Sequence, residues 1–414
     1  MGSPGACFRC WNAITERKRS HLFMIKLALG LISLIFIFGM KNSIPVLKMV
    51  QSKYEVLLEK RIPPSGQPKQ HTDRNSDVTL TARCSPKRHL MFLKTHKTGG
   101  TTVQNMLLRY VDSRNLTLAT PPRGRVTFNE KFPFSANYVR DYNKQQYDVI
   151  AHHLRFKITQ VKKVLKHNDT FYFSILRDPV NLMESSYSFF KKDFPAFRLS
   201  KSLEDLLNNS SSYYNPYLNT NTRVKNPTWF DFGYNNIANC SEEQYTKALV
   251  EIEKSFHLIL ISEYFDESMI LLKEALCWDI DDVVTFKHNS RNKEDIKTVS
   301  ENLARKIQEW NSLDWRLYNH FNVTFWAKVE ETIGLARLQD EVAILREKRR
   351  ELERQCTLDG LVVNQGRYFK EGLHLMSHKV KSDLDRDLKE KCKRYFIHPR
   401  DYTEILYTKQ KLQK

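Results

Sequence analysis

Between residues 89 and 278 the chain alternates short, wholly apolar runs with stretches in which apolar residues return every three or four positions. His89 to Lys94 is the first run and a helical pattern follows to Tyr110. Tyr147 to Ala151 is the second, Phe171 to Leu176 leads into another helix, and Phe256 to Ile261 precedes a helical stretch from Phe265 to Trp278. Strands apolar on both faces, each feeding a helix, are the sequence form of a sheet buried between helical layers. The expected fold class is therefore α/β, with a central, mainly parallel sheet flanked by helices, and no internal repeat interrupts it. Beyond Phe325 the apolar residues thin to Leu338, Val342, Leu345 and Leu352, at heptad-like spacing in a charged helix. Such a stripe either packs on its own domain or forms a short coiled coil, the latter giving a homodimer.

The N-terminal region reads differently. "LFMIKLALGLISLIFIFGM", Leu22 to Met40, is broken only by Lys26 and matches the ~20 apolar residues that cross a bilayer. Arg9, Arg17, Lys18 and Arg19 precede it, so the positive-inside rule makes it a type II anchor, and no small-x-small cleavage site follows. The expected organisation is a cytoplasmic tail at 1–21, a transmembrane signal anchor at 22–40, a stem at 41–88, a folded domain at 89–356 and its C-terminal extension at 357–414. The stem includes a Pro-, Gly- and Ser-rich stretch at 60–88.

A body beyond the membrane should carry N-glycans, and acceptor triplets occur at Asn115, Asn168, Asn208, Asn209, Asn239 and Asn322. Of seven cysteines, Cys7 and Cys10 precede the span and are candidates for palmitoylation. Cys84, Cys240, Cys277, Cys356 and Cys392 follow it; an odd set allows at most two internal bridges. Sixty-six Lys and Arg against 47 Asp and Glu leave a net charge of +19, which favours anionic ligands. A lumenal body meets no nucleic acid, which removes that class of partner.

The chemistry concentrates in "FLKTHKTGGTTVQNMLLRY", residues 92–110. An apolar strand, a loop with Lys97, Gly99 and Gly100, and a helix opening on Thr101 and Thr102 make an anion site, because free first-turn amides and the helix dipole favour negative charge. The lysine precedes the glycines and no Gly-Lys-Ser/Thr follows, so a nucleoside triphosphatase loop does not fit. A second element is "FYFSILRDPVNLMESSYSFF", residues 171–190: a strand ending at Arg177, Asp178 suited to an N-cap, Pro179 at the first helical position and Ser185 two turns on. Arg177 at a parallel strand's C-terminal end lies where open α/β sheets bind ligands. Two such sites describe a nucleotide phosphorylated at two places.

These motifs resemble the sulfotransferases, whose donor is 3'-phosphoadenosine 5'-phosphosulfate. "KTGGTT" looks like their 5'-phosphosulfate loop, and Arg177 with Ser185 looks like their 3'-phosphate motif. "FLKTHKT", "HHLRF", "NDTFYFSILRDPV", "WFDFGY", "EYFDESMILLKEALCW" and "SLDWRLYNHFN" resemble, in order, segments of the galactose 3-O-sulfotransferases, Golgi type II enzymes. The similarity leans to members acting on glycoprotein and mucin-type glycans over the cerebroside sulfotransferase. Gly99, Gly100 and Thr101 depart from the usual Ala-Ser-Ser of that family and look like the loop of some heparan sulfotransferases.

The resemblance implies a P-loop-like sulfotransferase fold, a galactose-terminated glycan acceptor, and a donor site of Lys94, Thr95, Lys97, Thr98, Gly99, Gly100, Thr101, Thr102, Arg177, Ser185 and Arg291. Sulfuryl transfer needs a cation at the leaving phosphate oxygen, for which Lys97 is the candidate, and a base for the alcohol. By analogy with related enzymes, His153 at a strand end is the favoured base and His96 supports it, while His152 is read as structural. Arg155, Trp229 and Asp231 are candidates for acceptor contact. No metal is required in principle, since these cations and the helix amides can neutralise the phosphates. Asp279-Ile280-Asp281 would suit a metal-dependent glycosyltransferase, a reading that leaves both phosphate motifs unexplained. A noncatalytic lumenal glycan-binding protein is the alternative from another class.

Overall fold

The computed structural model describes residues 84–216, 222–236, 240–358, 361–363 and 374–413. The tail, the anchor expected at Leu22 to Met40, the stem up to residue 83 and Asn239 lie outside the described residues. Among the described residues no helix is long and apolar enough to cross a membrane.

In chain order the first elements are β1 (Leu90–Leu93), α1 (Gly100–Ser113), β2 (Leu118–Ala119), β3 (Val149–Ile150), α2 (Ile158–Val164), β4 (Phe171–Leu176) and α3 (Pro179–Phe190). They are followed by α4 (Pro227–Asp231), α5 (Glu242–Ser255), β5 (Leu258–Ile261) and α6 (Phe265–Leu276). β1 to β5 form a sheet in the order β2-β3-β1-β4-β5, with every neighbouring pair parallel. All residues of the five strands are buried, as an α/β sheet covered on both faces requires. The chain leaves β1 for β2 on one side, whereas β4 and β5 build the other. The crevice at the C-terminal ends of β1 and β4 is thus a topological switch point, where such sheets bind ligands.

The rest of the chain comprises β6 (Ser290–Arg291), α7 (Glu301–Trp310), α8 (Ser312–Thr332), α9 (Leu335–Cys356), β7 (Val362–Val363), β8 (Leu375–Ser377), α10 (Arg386–Phe396) and α11 (Pro399–Leu412). β6, β8 and β7 make a small antiparallel sheet in that order. α1 turns Val103, Met106, Leu107 and Val111 into the core, yet Gln104 and Asn105 are buried as well. Their cover comes from the C-terminal segment. Asn105 Nδ2 donates to the carbonyls of Arg394 (3.1 Å) and Ile397 (3.2 Å), and Tyr402 OH donates to Asp112 at 2.9 Å.

The apolar stripe of α9 is used inside the chain. Leu338, Val342, Leu345 and Leu352 are all buried in the main core, so they offer no seam to a second copy. Two disulfides, Cys84–Cys277 and Cys356–Cys392, tie the chain before β1 to the end of α6 and α9 to α10; Cys240 is a free thiol. Such bridges belong to an oxidising compartment. Asn115, Asn168, Asn208 and Asn209 are exposed, whereas Asn322 sits within α8 with its amide oxygen enclosed, which disfavours it as a glycan acceptor.

Leu345→Ala should remove about 2–5 kcal/mol of stability through the cavity it leaves, read as a lower Tm with unchanged sedimentation mass. A change of mass at constant Tm would instead mark the stripe as an interface.

Candidate active site

The loop after β1 is shaped by backbone constraints. Lys97 and Gly99 both adopt left-handed conformations, at φ of 61° and 80°. A Cβ on Gly100 would stand 3.0 Å from Lys94 Cγ, so glycine lets the start of α1 settle onto that side chain. The amides of Gly100 and Thr101, in the helix's first turn, have no intrahelical acceptor, the arrangement by which helix starts take up anions. Arg177 leaves the end of β4 and donates from Nη1 to the Lys97 carbonyl at 2.9 Å, which locks the two strand ends together.

Not every loop residue singled out in sequence is open to a ligand. Thr95 donates its hydroxyl to the Ile175 carbonyl, Thr98 donates to the Thr95 carbonyl at 3.2 Å, and Thr102 Oγ1 accepts from the His288 amide at 3.1 Å. These three threonines staple the loop, and Thr101 is the one only partly buried. Lys94 runs beneath the loop and donates to Gln104 Oε1 at 2.6 Å. Burial pushes its pKa down to about 7, against a raising influence from Glu130. The Lys97 ammonium rests 3.7 Å from the centre of the Phe189 ring, a cation–π contact. Ser185 is buried on α3, and its neighbour Glu184 grips Arg291, with Nη1 to Oε1 at 2.9 Å. The charge of Arg291 is near enough to Arg177 to add to the burial that lowers the Arg177 pKa.

His96 lies in that loop and is the hub of a closed ion network. Its Nδ1 is 2.9 Å and its amide nitrogen also 2.9 Å from Asp231 Oδ2. Its Nε2 is 3.2 Å from Glu130 Oε2, and Arg223 joins both acids, with Nη1 at 3.0 Å from Asp231 Oδ1 and Nη2 at 3.0 Å from Glu130 Oε2. Glu130 Oε2 is off the line of those N–H bonds, so the contacts are ion pairs without aligned hydrogen bonds. Burial and Arg223 pull the His96 pKa down, but the two carboxylates prevail and the net shift is upward. Glu130 resists burial through His96 and Arg223 and is brought down to about 2.

His153 stacks on His96, with ring centres 3.9 Å apart and planes 19° from parallel. Its Nδ1 is 2.7 Å from the Lys94 carbonyl, a contact in which only the nitrogen can donate, so Nε2 carries the lone pair in the neutral ring. Burial, then the cations His96, Lys94 and Arg223, hold its pKa well below the ordinary histidine value. His152 points away and pairs with Thr403 at 2.9 Å, with its pKa lowered by burial to about 3. Ligand atoms of His96, Glu130 and His153 come within 4.8 Å of one another and could hold a metal ion, as could His89, His167 and Asp169 at the sheet's other end, groupings that sequence spacing does not reveal.

Two of the residues expected at the acceptor lie inside the protein. Trp229 is a core residue, 2% exposed and stacked on Tyr245, and Asp231 has both carboxylate oxygens engaged by His96 and Arg223. Both side chains are committed to partners within the protein. Arg155 donates to the Tyr234 carbonyl at 3.1 Å and lies over Phe230, with Nε enclosed and unpartnered. Asp279 caps a short turn at Ile280–Val283 and Asp281 pairs with Lys348, so that triplet makes no joint metal site. Glu130, Arg223 and Asp314 were not legible in sequence. Asp314 receives the amides of Thr228 (2.9 Å) and Trp229 (2.8 Å), fixing the start of α4 and hence Asp231.

A family model described as galactose-3-O-sulfotransferase matches residues 16–410. The chain belongs to that family. This sulfotransferase is 38% identical over 354 residues to galactose-3-O-sulfotransferase 2 of Homo sapiens, covering 82% of this chain and 89% of the relative. It is 38% identical over 285 residues to galactosylceramide sulfotransferase of Bos taurus, covering 68% and 67%, and 30% identical over 411 residues to galactose-3-O-sulfotransferase 4 of Homo sapiens, covering 79% and 84%.

Because Arg223 is 2% exposed, Arg223→Ala strands the buried Asp231 carboxylate, with the partly exposed Glu130 beside it, and should cost this sulfotransferase about 3–5 kcal/mol, seen as a fall in Tm. An unchanged Tm would show that the network is not held by that cation.

Proposed function

We propose that this sulfotransferase transfers a sulfuryl group from 3'-phosphoadenosine 5'-phosphosulfate to the 3-hydroxyl of a terminal β-linked galactose on glycoprotein glycans. The type II anchor reading, the exposed glycan acceptors and the two disulfides support a Golgi lumenal body. Three features of the crevice suit such a donor: the first-turn amides of α1, the close approach permitted at Gly99 and Gly100, and the paired strand ends carrying Lys97 and Arg177. Arg177, Ser185 and Arg291 would take the 3'-phosphate, and Lys97 with Gly99 to Thr101 the 5'-phosphosulfate. The donor supplies an activated sulfuryl group that needs no metal to leave.

The observation that carries the mechanism is the anchoring by Asp231 of His96, the residue before Lys97. Sequence reasoning favoured His153 as base. The geometry favours His96, because Asp231 orients its Nδ1–H and supports the imidazolium formed when Nε2 accepts a proton. His153, lowered in basicity and stacked alongside, positions that ring. The acceptor oxygen would lose its proton to Nε2 as its bond to sulfur forms, while the Lys97 ammonium offsets charge on the departing phosphate oxygen.

With 35S-labelled donor and β-galactosides, His96→Ala should lower kcat about 10²–10⁴-fold, the range for a lost general base, with label on the galactose 3-hydroxyl in the wild type. Full activity in His96→Ala would return the role to His153. Label absent from every acceptor, despite donor binding, would favour the glycan-binding reading.

A second expectation concerns Lys94. It is charged below a pKa of about 7 and neutral above it, so affinity for the desulfated donor should fall as pH rises through that region, or somewhat higher once the bound anion favours the ammonium. In Lys94→Met the step should vanish. Calorimetry across pH 6–9 checks it, and an identical pH profile in both proteins would exclude Lys94 as the coupled group.

A further inference from the structure

Glu130 belongs to no motif, yet the fold aims it at the general base. Its loop is pinned on both sides by the strand-like segment that follows β3: the Phe128 amide donates to the His153 carbonyl at 2.9 Å, and the Phe134 amide to the Arg155 carbonyl at 2.8 Å. Between these pins the Glu130 side chain is 27% exposed. One oxygen, Oε2, lies against His96 Nε2 and Arg223 without an aligned hydrogen bond, and Oε1 has no protein partner among the described residues. This is a charged acceptor held beside the atom that must take the substrate's proton, and imperfectly satisfied there.

We infer that Glu130 is an acceptor-binding residue: its carboxylate accepts a hydrogen bond from a hydroxyl neighbouring the one that is sulfated. Entry of a sugar would place the reacting hydroxyl at His96 Nε2, where Glu130 Oε2 now stands, and the carboxylate would take the adjacent hydroxyl instead. The exchange substitutes aligned O–H···O contacts for misaligned ion pairs and keeps the anion near Arg223. It also frees the His96 lone pair, because a carboxylate at Nε2 favours the protonated ring, which cannot act as a base; as the carboxylate moves away the ring releases that proton to solvent. Glu130 neither gains nor loses a proton in this exchange. A terminal galactose offers such neighbours at its 2- and 4-hydroxyls, so the inference rests on the galactoside reading above and names what would distinguish galactose from its analogues.

The groups facing His96 are Asp231 and Arg223 from around α4, His153 beyond β3 and Glu130 itself, with Phe190 of α3 as a nonpolar neighbour. In Glu130→Gln one of the two raising charges is gone, so the pH below which His96 becomes protonated should move down.

The test compares the full chain with its Glu130→Gln variant on methyl β-galactoside and its 2-deoxy and 4-deoxy analogues. Binding is measured calorimetrically with desulfated donor present, and His96 is titrated by nitrogen NMR. For the wild type, one deoxy analogue should bind about tenfold more weakly than the parent, the scale of a charge-assisted hydrogen bond; in Glu130→Gln the parent should weaken by a similar factor and the distinction should disappear. Donor affinity should be unchanged and the His96 titration should move to lower pH. Equal galactoside affinity in both proteins, persistence of the deoxy discrimination in the variant, or no galactoside binding by the wild type would overturn the inference. Galactoside binding with the expected Glu130 dependence, but no sulfate transfer by the wild type, would sink the functional reading and leave the Glu130 assignment standing.

Discussion

One buried guanidinium makes the candidate site possible. Arg223 touches Asp231 and Glu130, which reach His96 from opposite sides. Two carboxylates converging on one imidazole, one buried and one partly exposed, would repel each other and resist desolvation. With Arg223 between them and His96 protonated, the four groups sum to zero charge. Removal of the His96 proton leaves a single negative charge, which the burial of the network opposes. Affinity of the imidazole for protons is therefore set by burial and Arg223, which lower it, against the two carboxylates, which prevail. A base built in this way responds to anything that moves one of them, which is why an acceptor that displaces Glu130 would change the chemistry of His96 as well as occupy space.

The scaffold supplies the precision this network needs. His96 and Lys97 occupy a loop whose backbone is clamped at one end by the Arg177 bond to the Lys97 carbonyl and at the other by the seating of Gly100 on Lys94. The helix that follows cannot drift, because α10 and α11 bond its outer face through Asn105 and Asp112. Asp231 is held just as firmly by Asp314, whose carboxylate is pushed up to about 7 by burial and still receives two backbone amides. Elements distant in sequence thus fix both partners of the His96–Asp231 hydrogen bond.

The central sheet was legible because its strands are apolar on both faces and its helices begin with recognisable signals, such as Asp178 and Pro179. β2 was not, since two buried residues carry no periodicity. The phosphate loop could be read from local chemistry: glycines, a lysine and a helix start are contiguous. Glu130, Arg223 and Asp314 are distant from that loop in sequence, and no local pattern marks a carboxylate whose partner is brought in by the fold. The same reason applies to Asp231 and Trp229: their motif reads as polar and aromatic, but the burial of both and the turning of Asp231 toward His96 come from the fold. The polar C-terminus gave little because its task is to cover α1, a role that depends on α1's unusual burial of Gln104 and Asn105.

Charge is divided across the crevice. Lys94, Lys97, Arg177 and Arg291 cluster where a polyanionic donor would lie, while Glu130 and Asp231 stand on the side of an uncharged acceptor. The two halves respond to acidity in opposite senses. Lys94 loses its charge as pH rises through about 7, which weakens the attraction for phosphate. His96, whose pKa is raised above the ordinary histidine value, gains a proton as pH falls and ceases to be a base. Glu130 does not relieve that limit, because it stays ionised down to about 2. On the proposed mechanism, donor attraction would set the alkaline boundary and the histidine the acid one, with the window between them narrowing from both sides unless substrates shift the groups they touch. A bound donor extends the alkaline boundary by favouring the Lys94 ammonium. An acceptor that draws Glu130 away extends the acid one by letting His96 release its proton, so each substrate widens the range in which the other can be used.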